Sequence, residues 1–407
     1  MHAVLIGEAP DLSTAQTRYA HPTNVFYKNW QANEDTGGFG DAAIAISDAI
    51  VVTKLTFWIT NSNTSGLGWT FTVRQNKTDT AASVSVLGSN TSATWTGAVP
   101  LNQLDLMSVG IVPVGTTPVA TGKCWWIIEY ESVGSDYYLA MGSALSNQSF
   151  DLYANPFSGG CPYSATATDY EVVVPHDCTV TKIAGTCQSA PGGTYVYAVR
   201  KNNTTDSSFT ASVSATVSAV SSAGSLAFAA GDTMVIKRTT GGGTPGWVNA
   251  GYCITIVPNV PGEVAIAFGN LAALGTSGTV YEAPHGLGTS NAWDATESNV
   301  YIRFPACTLK KLYVKLATAT GVGSRTRAFT VRSNAADTSV TTSINNASAG
   351  NSGATLNAKH AQGDFVSVKQ VASNTPNASS AKVGLVMVIP QQRKRFQTNQ
   401  AIQASLR

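Results

Sequence analysis

Apolar and polar positions along this chain follow a period of two. Val52 to Thr60 is a β-branched and aromatic run that ends on the turn segment Asn61-Ser62-Asn63. Thr194 to Arg200 alternates and then breaks at Lys201-Asn202-Asn203, while Ser207 to Val220 sets Phe209, Ala211, Val213, Ala215 and Val217 against Ser and Thr. Asp364 to Lys369 repeats the scheme. Alternation of this kind marks strands buried on one face. The turn residues between the runs predict antiparallel pairing. About eight runs per unit, the strand number of a jelly roll, predict an all-β chain of antiparallel β-sandwiches.

The scheme is written three times. Phe71-Thr72-Val73-Arg74-Gln75-Asn76, Tyr197-Ala198-Val199-Arg200-Lys201-Asn202 and Phe329-Thr330-Val331-Arg332-Ser333-Asn334 share the pattern aromatic-x-Val-Arg-x-Asn. At near-constant distances Lys54, Lys182 and Lys311 precede it, and Asp105, Asp232 and Asp364 follow, then Pro118, Pro245 and Pro376. Each copy closes on an apolar run, at Trp125 to Ile128, Ile254 to Pro258 and Leu385 to Pro390. Copies of roughly 120–130 residues are whole domains rather than solenoid repeats. The expected organisation is three tandem jelly-roll-like sandwiches at 17–134, 135–260 and 261–391, with an N-terminal arm at 1–16 and a basic C-terminal arm at 392–407. Leu139-Ala140-Met141-Gly142 parallels Ile266-Ala267-Phe268-Gly269, and the first unit's equivalent is expected around Asn24 to Asn29.

Only 12% of the 407 residues are charged, about half the usual share. The surface is therefore expected to be covered by Ser, Thr, Asn, Gln and Gly. The formal net charge of +2 gives no global reason to expect a nucleic-acid partner. Met1-His2-Ala3-Val4 carries no basic segment ahead of an apolar core, and no apolar run is long enough to span a bilayer. The expectation is a chain made in a cytoplasm without a membrane. Asn63, Asn90 and Asn203 then read as polar turns rather than glycosylation sites. In that compartment the six cysteines are expected to be reduced core thiols, with a Cys178–Cys187 or Cys178–Cys253 disulfide as the alternative.

No catalytic constellation emerges, so no enzyme activity and no cofactor are expected. The five histidines lack metal-ligand spacing, and His176-Asp177 are strand neighbours that point to opposite faces. Gly241-Gly242-Gly243 lies between strands, as a hairpin tip. Three features remain as candidates. The first is an ion pair within each repeat, Arg74–Asp105, Arg200–Asp232 and Arg332–Asp364, with the asparagine (Asn76 in the first copy) at the adjoining turn. The second is the cluster Trp58, Trp69, Trp125 and Trp126, either core or an exposed aromatic platform for sugar or a partner. The third is the tail from Gln391, with Arg393, Lys394, Arg395, Phe396 and Arg407, either a solvated end or a docking arm that orders on a partner.

Tandem β-sandwiches of low charge, rich in Ser, Thr, Asn, Gly and Ala and carrying these aromatic-x-Val-Arg-x-Asn strand ends, resemble virion structural proteins of tailed bacteriophages. The resemblance implies a non-enzymatic virion protein assembled in the host cytoplasm, most simply a capsid decoration or cement protein docked by its terminal arms. A tail or collar fibre that binds a receptor is the alternative, and a carbohydrate-binding adhesin is another. Implied partners are the major capsid protein or tail and collar proteins, a host surface glycan in the alternatives, and copies of the chain itself. A trimer, or one chain mimicking threefold symmetry, is the expected assembly.

Overall fold

The computed structural model describes residues 1–390 apart from 11, 13–14, 24–30, 33, 35–41, 117, 119–122, 147–150, 158–163, 188–190, 242–247, 270–271, 285–292, 346–349 and 353–356. Strands dominate, and all pairings between them are antiparallel. Among the described residues no helix is long and apolar enough to cross a membrane.

In the first unit one sheet has the order His2–Pro10, Lys123–Ser132, Ile50–Ile59, Ser92–Leu101. Its partner sheet runs Arg18–Ala20, Leu106–Val114, Gly68–Gln75, Thr78–Leu87, with the short strand Ile44–Ala45 also on Leu106–Val114. Apart from the Gly68–Gln75/Thr78–Leu87 hairpin and the short Ile44–Ala45 strand, successive strands switch between the two sheets, which is the winding of a jelly roll. The second and third units repeat this order. Tyr138–Ser146, Val248–Pro258 and Cys178–Cys187, followed by the short strands Ser218–Val220 and Leu226–Phe228, form the first sheet of unit two. Glu263–Gly269, Ala381–Val388 and Cys307–Leu316, followed by Gly350–Ser352 and Ala358–His360, form that of unit three. Even the irregularities repeat. A bulge interrupts the register between Val52 and Lys54, between Val180 and Lys182, and between Leu309 and Lys311.

The start of the chain departs from expectation. His2–Pro10 is an edge strand of the first sandwich, paired along its length with Lys123–Ser132, not a free arm. Val4-Leu5-Ile6-Gly7 is therefore the counterpart of Leu139-Ala140-Met141-Gly142, and the first unit begins at the chain's start rather than at residue 17. The segment around Asn24 to Asn29 lies outside the described residues. Seven successive buried positions, Ala3 to Ala9, all but Glu8 apolar, explain the strand: such a run is stable only when covered on both faces.

Side-chain volume is balanced across equivalent rows of the three sheets. Gly7 lies opposite Trp126 and Gly142 opposite Tyr252, whereas in the third unit the register from the bulge puts Phe268, not the sequence counterpart Gly269, in this row, opposite Val383. A Cβ on Gly7 would stand 2.3 Å from the Trp126 ring, and one on Gly142 2.2 Å from the Tyr252 hydroxyl. Large beside small thus fills each row to the density of a packed core. In the first sandwich Phe57 stacks on Phe71 at 4.5 Å between centroids, with Trp126 next to them.

Each unit docks on the next. Ile44–Ala45 of unit one packs on the Cys178–Cys187 and Val248–Pro258 strands of unit two, and Val172–Val173 of unit two on the corresponding strands of unit three. Ile302–Arg303 of unit three packs back on Lys123–Ser132 of unit one. The three units therefore close a cycle. The edge strands meet where Val4, Leu5, Leu139, Met141, Ala265 and Ile266 line one small apolar gap.

Candidate functional site

The repeated Arg and Asn hold the sheet-end hairpins, but not as the sequence suggested. Asn76, Asn202 and Asn334 have φ of 50°, 50° and 49°, and Lys77, Asn203 and Ala335 after them are also left-handed. Two consecutive left-handed residues form the tight hairpin turn whose twist matches the strands. From there the Asn76 amide donates to Asp105 Oδ1 at 2.7 Å, Asn202 to Asp232 at 2.7 Å and Asn334 to Asp364 at 2.9 Å. Each asparagine oxygen accepts a backbone N–H beyond the aspartate, from Leu106, Thr233 and Phe365. Each aspartate also accepts its own turn's N–H, from Asn102, Ala229 and Ala361. The aspartate thus belongs to the asparagine, joining two turns.

The arginines take other acids. Arg74 binds Asp79 across the hairpin and Glu34 at 3.0 Å, and lies over the Tyr19 ring. Arg200 binds Asp206 at 2.5 Å and the Tyr153 hydroxyl at 3.0 Å, over that ring. Arg332 binds Asp337 and, at 2.9 Å, Glu297, over Tyr281. Hydrogen bonding to Asp206 raises the Arg200 pKa further above its ordinary value. Burial pushes the Asp206 and Asp337 carboxyls up, yet the neighbouring cations hold them below the usual carboxylate range. Asp79, Asp206 and Asp337 were findable, because each follows its arginine by five or six residues, the reach of a tight hairpin. The chemistry is structural: charge-assisted clamps that fix hairpin geometry.

The tryptophans form no platform. Trp58, Trp69, Trp125 and Trp126 are 7%, 0%, 2% and 0% exposed. Trp69 and Trp126 fill the first core, whereas Trp58 and Trp125 face unit three. There Arg303 stacks 5.6 Å from the Trp58 ring, 5.4 Å from Trp125 and 4.1 Å from Phe365. Trp125 also meets Tyr301 and Phe365. Arg393, Lys394, Arg395, Phe396 and Arg407 lie outside the described residues. Cys124, Cys178, Cys187, Cys253 and Cys307 are buried free thiols. Burial pushes the Cys178, Cys253 and Cys307 thiols up to about 12, so they stay protonated near neutrality.

Around the cycle, the lysine after the bulge always faces the preceding unit. Lys54 binds Glu129 at 2.7 Å and Gln362 of unit three at 3.0 Å. Lys182 binds Asp48 of unit one at 2.7 Å. Nearby, the Ala45 N–H donates to Thr186 Oγ1 at 2.8 Å, and the Ser47 hydroxyl meets Thr255 at 2.8 Å and Cys253. In unit three Lys382 is held by Glu171 of unit two, while His176 of unit two shares a hydrogen bond with Glu263 at 3.1 Å. Sequence reasoning missed these contacts, since only the tertiary arrangement decides which sheet face another unit covers.

No family model and no curated protein matches the chain. Among solved structures it resembles a protein reported under the words "the triple jelly roll fold and turret assembly in an archaeal virus", with 12% identity, 93% of this chain and 90% of that one covered, and a TM-score of 0.18. A protein of Sulfolobus turreted icosahedral virus gives 11%, 93%, 91% and 0.19. PNGF-II gives 7%, 84%, 99% and 0.21. Superpositions of this quality carry no argument about function.

Proposed function

We propose that this chain is a non-enzymatic structural protein on the surface of a virus particle, a ready-made threefold unit that decorates or cements the shell. The observation that carries this reading is the cycle of three jelly rolls joined by three junctions of equivalent strand docking. Head-to-tail contacts that close on themselves generate rotational symmetry. A body of approximate threefold symmetry presents similar loops in three directions, and so matches a threefold or quasi-threefold position between capsid subunits. Because one chain completes the threefold unit, the free protein is a monomer that fills the place of a trimer. The low charge and the clamped hairpin ends suit a surface crowded with copies, where sheet edges must not pair with neighbours. A tailed bacteriophage is the proposed setting, the major capsid protein the proposed partner and residues 392–407 the proposed tether. The burial of the four tryptophans removes the sugar platform on which the adhesin reading rested.

Cryo-electron microscopy of particles that carry the chain tests the proposal. Expected are on the order of hundreds of copies per particle, each centred on a threefold or quasi-threefold position. Density confined to the tail or collar would replace decoration with a receptor-binding role. Absence of the chain from purified particles would sink both.

A further inference from the structure

The third of the equivalent lysines breaks the pattern. Lys54 is answered by Glu129 and Lys182 by Asp48. At the corresponding places around Lys311 the chain has Val386, its partner across the sheet, and the His176 segment of unit two. The bulge residue differs as well: Thr53 and Thr181 in the first two units, Lys310 in the third. A bulge cancels the usual alternation of side chains, and Lys310 and Lys311 both line the same cavity of about 230 Å³ between units two and three. Both are half-buried, and neither has a hydrogen bond or ion pair among the described residues. Asp177 and Glu263 also line the cavity, but donors on their own side engage them: the Ala230 N–H at 2.8 Å and His176 at 3.1 Å.

We infer that this cavity binds a small oxyanion, phosphate or carboxylate, that gives Lys310 and Lys311 the counter-charge Glu129 gives Lys54 and Asp48 gives Lys182. Two cationic side chains that line one cavity repel one another, and an anion between them relieves that repulsion. The volume holds a tetrahedral anion with several waters, each water taking about 30 Å³. Bound there, the anion pins unit two to unit three. This inference is independent of the virion reading.

Thermal melting of the full chain tests it, in about 20 mM phosphate or succinate against chloride at equal ionic strength. A ligand held only by the native state raises Tm, here by about 2–4 °C. Lys311→Met should abolish the rise, whereas Lys182→Met, at the junction with its own carboxylate, should leave it intact. Protection by succinate as well as phosphate assigns the site to oxyanions generally; protection by phosphate alone narrows it. Equal melting in all three buffers, or a rise that survives Lys311→Met, overturns the inference. Should Lys311→Met fail to fold, phosphorus-31 NMR titration of the native chain decides, since an unchanged phosphate line width rules out binding.

Discussion

The junction between units one and two and the junction between units three and one use the same backbone docking and opposite side-chain chemistry. At the first, Ile44 sits over Gly251, Ser47 meets Thr255, and Asp48 meets Lys182. At the other, equivalent positions hold Trp125 and Trp58, with Arg303, Tyr301 and Phe365 against them. The first pair of units is adjacent in sequence, and a short tether keeps them at high effective concentration. Units three and one are separated by the whole of unit two, and a longer loop costs more entropy to close. The larger aromatic contact stands where covalent help is weakest.

Trp125→Ala should break the comparison most severely. Removing a buried indole costs about 3–5 kcal/mol. Beyond a lowered midpoint in denaturant, small-angle scattering should show a larger radius of gyration as the cycle opens. A drop in stability without expansion would mean that the aromatic contact does not close the ring.

Acid should act on the other junction. His21 is buried, its Nδ1 accepts the Thr23 N–H at 3.0 Å, and Thr23 Oγ1 donates to the Met141 carbonyl of unit two. Burial lowers the His21 pKa from 6.5 to about 3. The unfolded chain therefore takes up a proton below about pH 6.5 that the native state refuses. Stability is complete above that pH and declines toward pH 3, by on the order of 4 kcal/mol. His21→Gln should flatten the pH dependence of the denaturation midpoint in that window; an unaltered slope would assign it to other groups.

Gly251→Ala sharpens the contrast in packing. A Cβ there would stand 2.0 Å from Ile44 Cδ1, and overpacking of this kind costs about 1–3 kcal/mol. Ile44→Val in the same chain should restore part of the loss if the clash is the cause. The smallest effect belongs to Asp48→Asn. The Asp48–Lys182 side chains are 22% and 24% exposed, and such pairs contribute about 0–1 kcal/mol. A larger loss in a denaturation series would mark this pair as the main latch of the first junction.

Strand content, jelly-roll winding and the threefold repeat were legible because alternation and turn residues are local properties. Pairing partners were less so. Arg74 and Asp105 share a constant spacing, but the hairpin turns Arg74 toward Asp79 and leaves Asp105 to Asn76. The strand at His2–Pro10 escaped notice because the first unit's longer path from Gly7 to Lys54 shifts it out of step with its counterparts. Trp58 and Trp125 read from sequence as core by default, with an exposed platform as the alternative, and what covers them was not legible, since the covering residues arrive from unit three.

The rows Gly7–Trp126, Gly142–Tyr252 and Phe268–Val383 also act as addresses. Three sandwiches of one winding in one chain invite an edge strand to join the wrong sheet while folding. Phe268 laid against Trp126 or Tyr252 would collide, and Gly7 or Gly142 laid against Val383 would leave a void. Exchange between units one and two, each with glycine opposite an aromatic, is the error this code leaves least guarded.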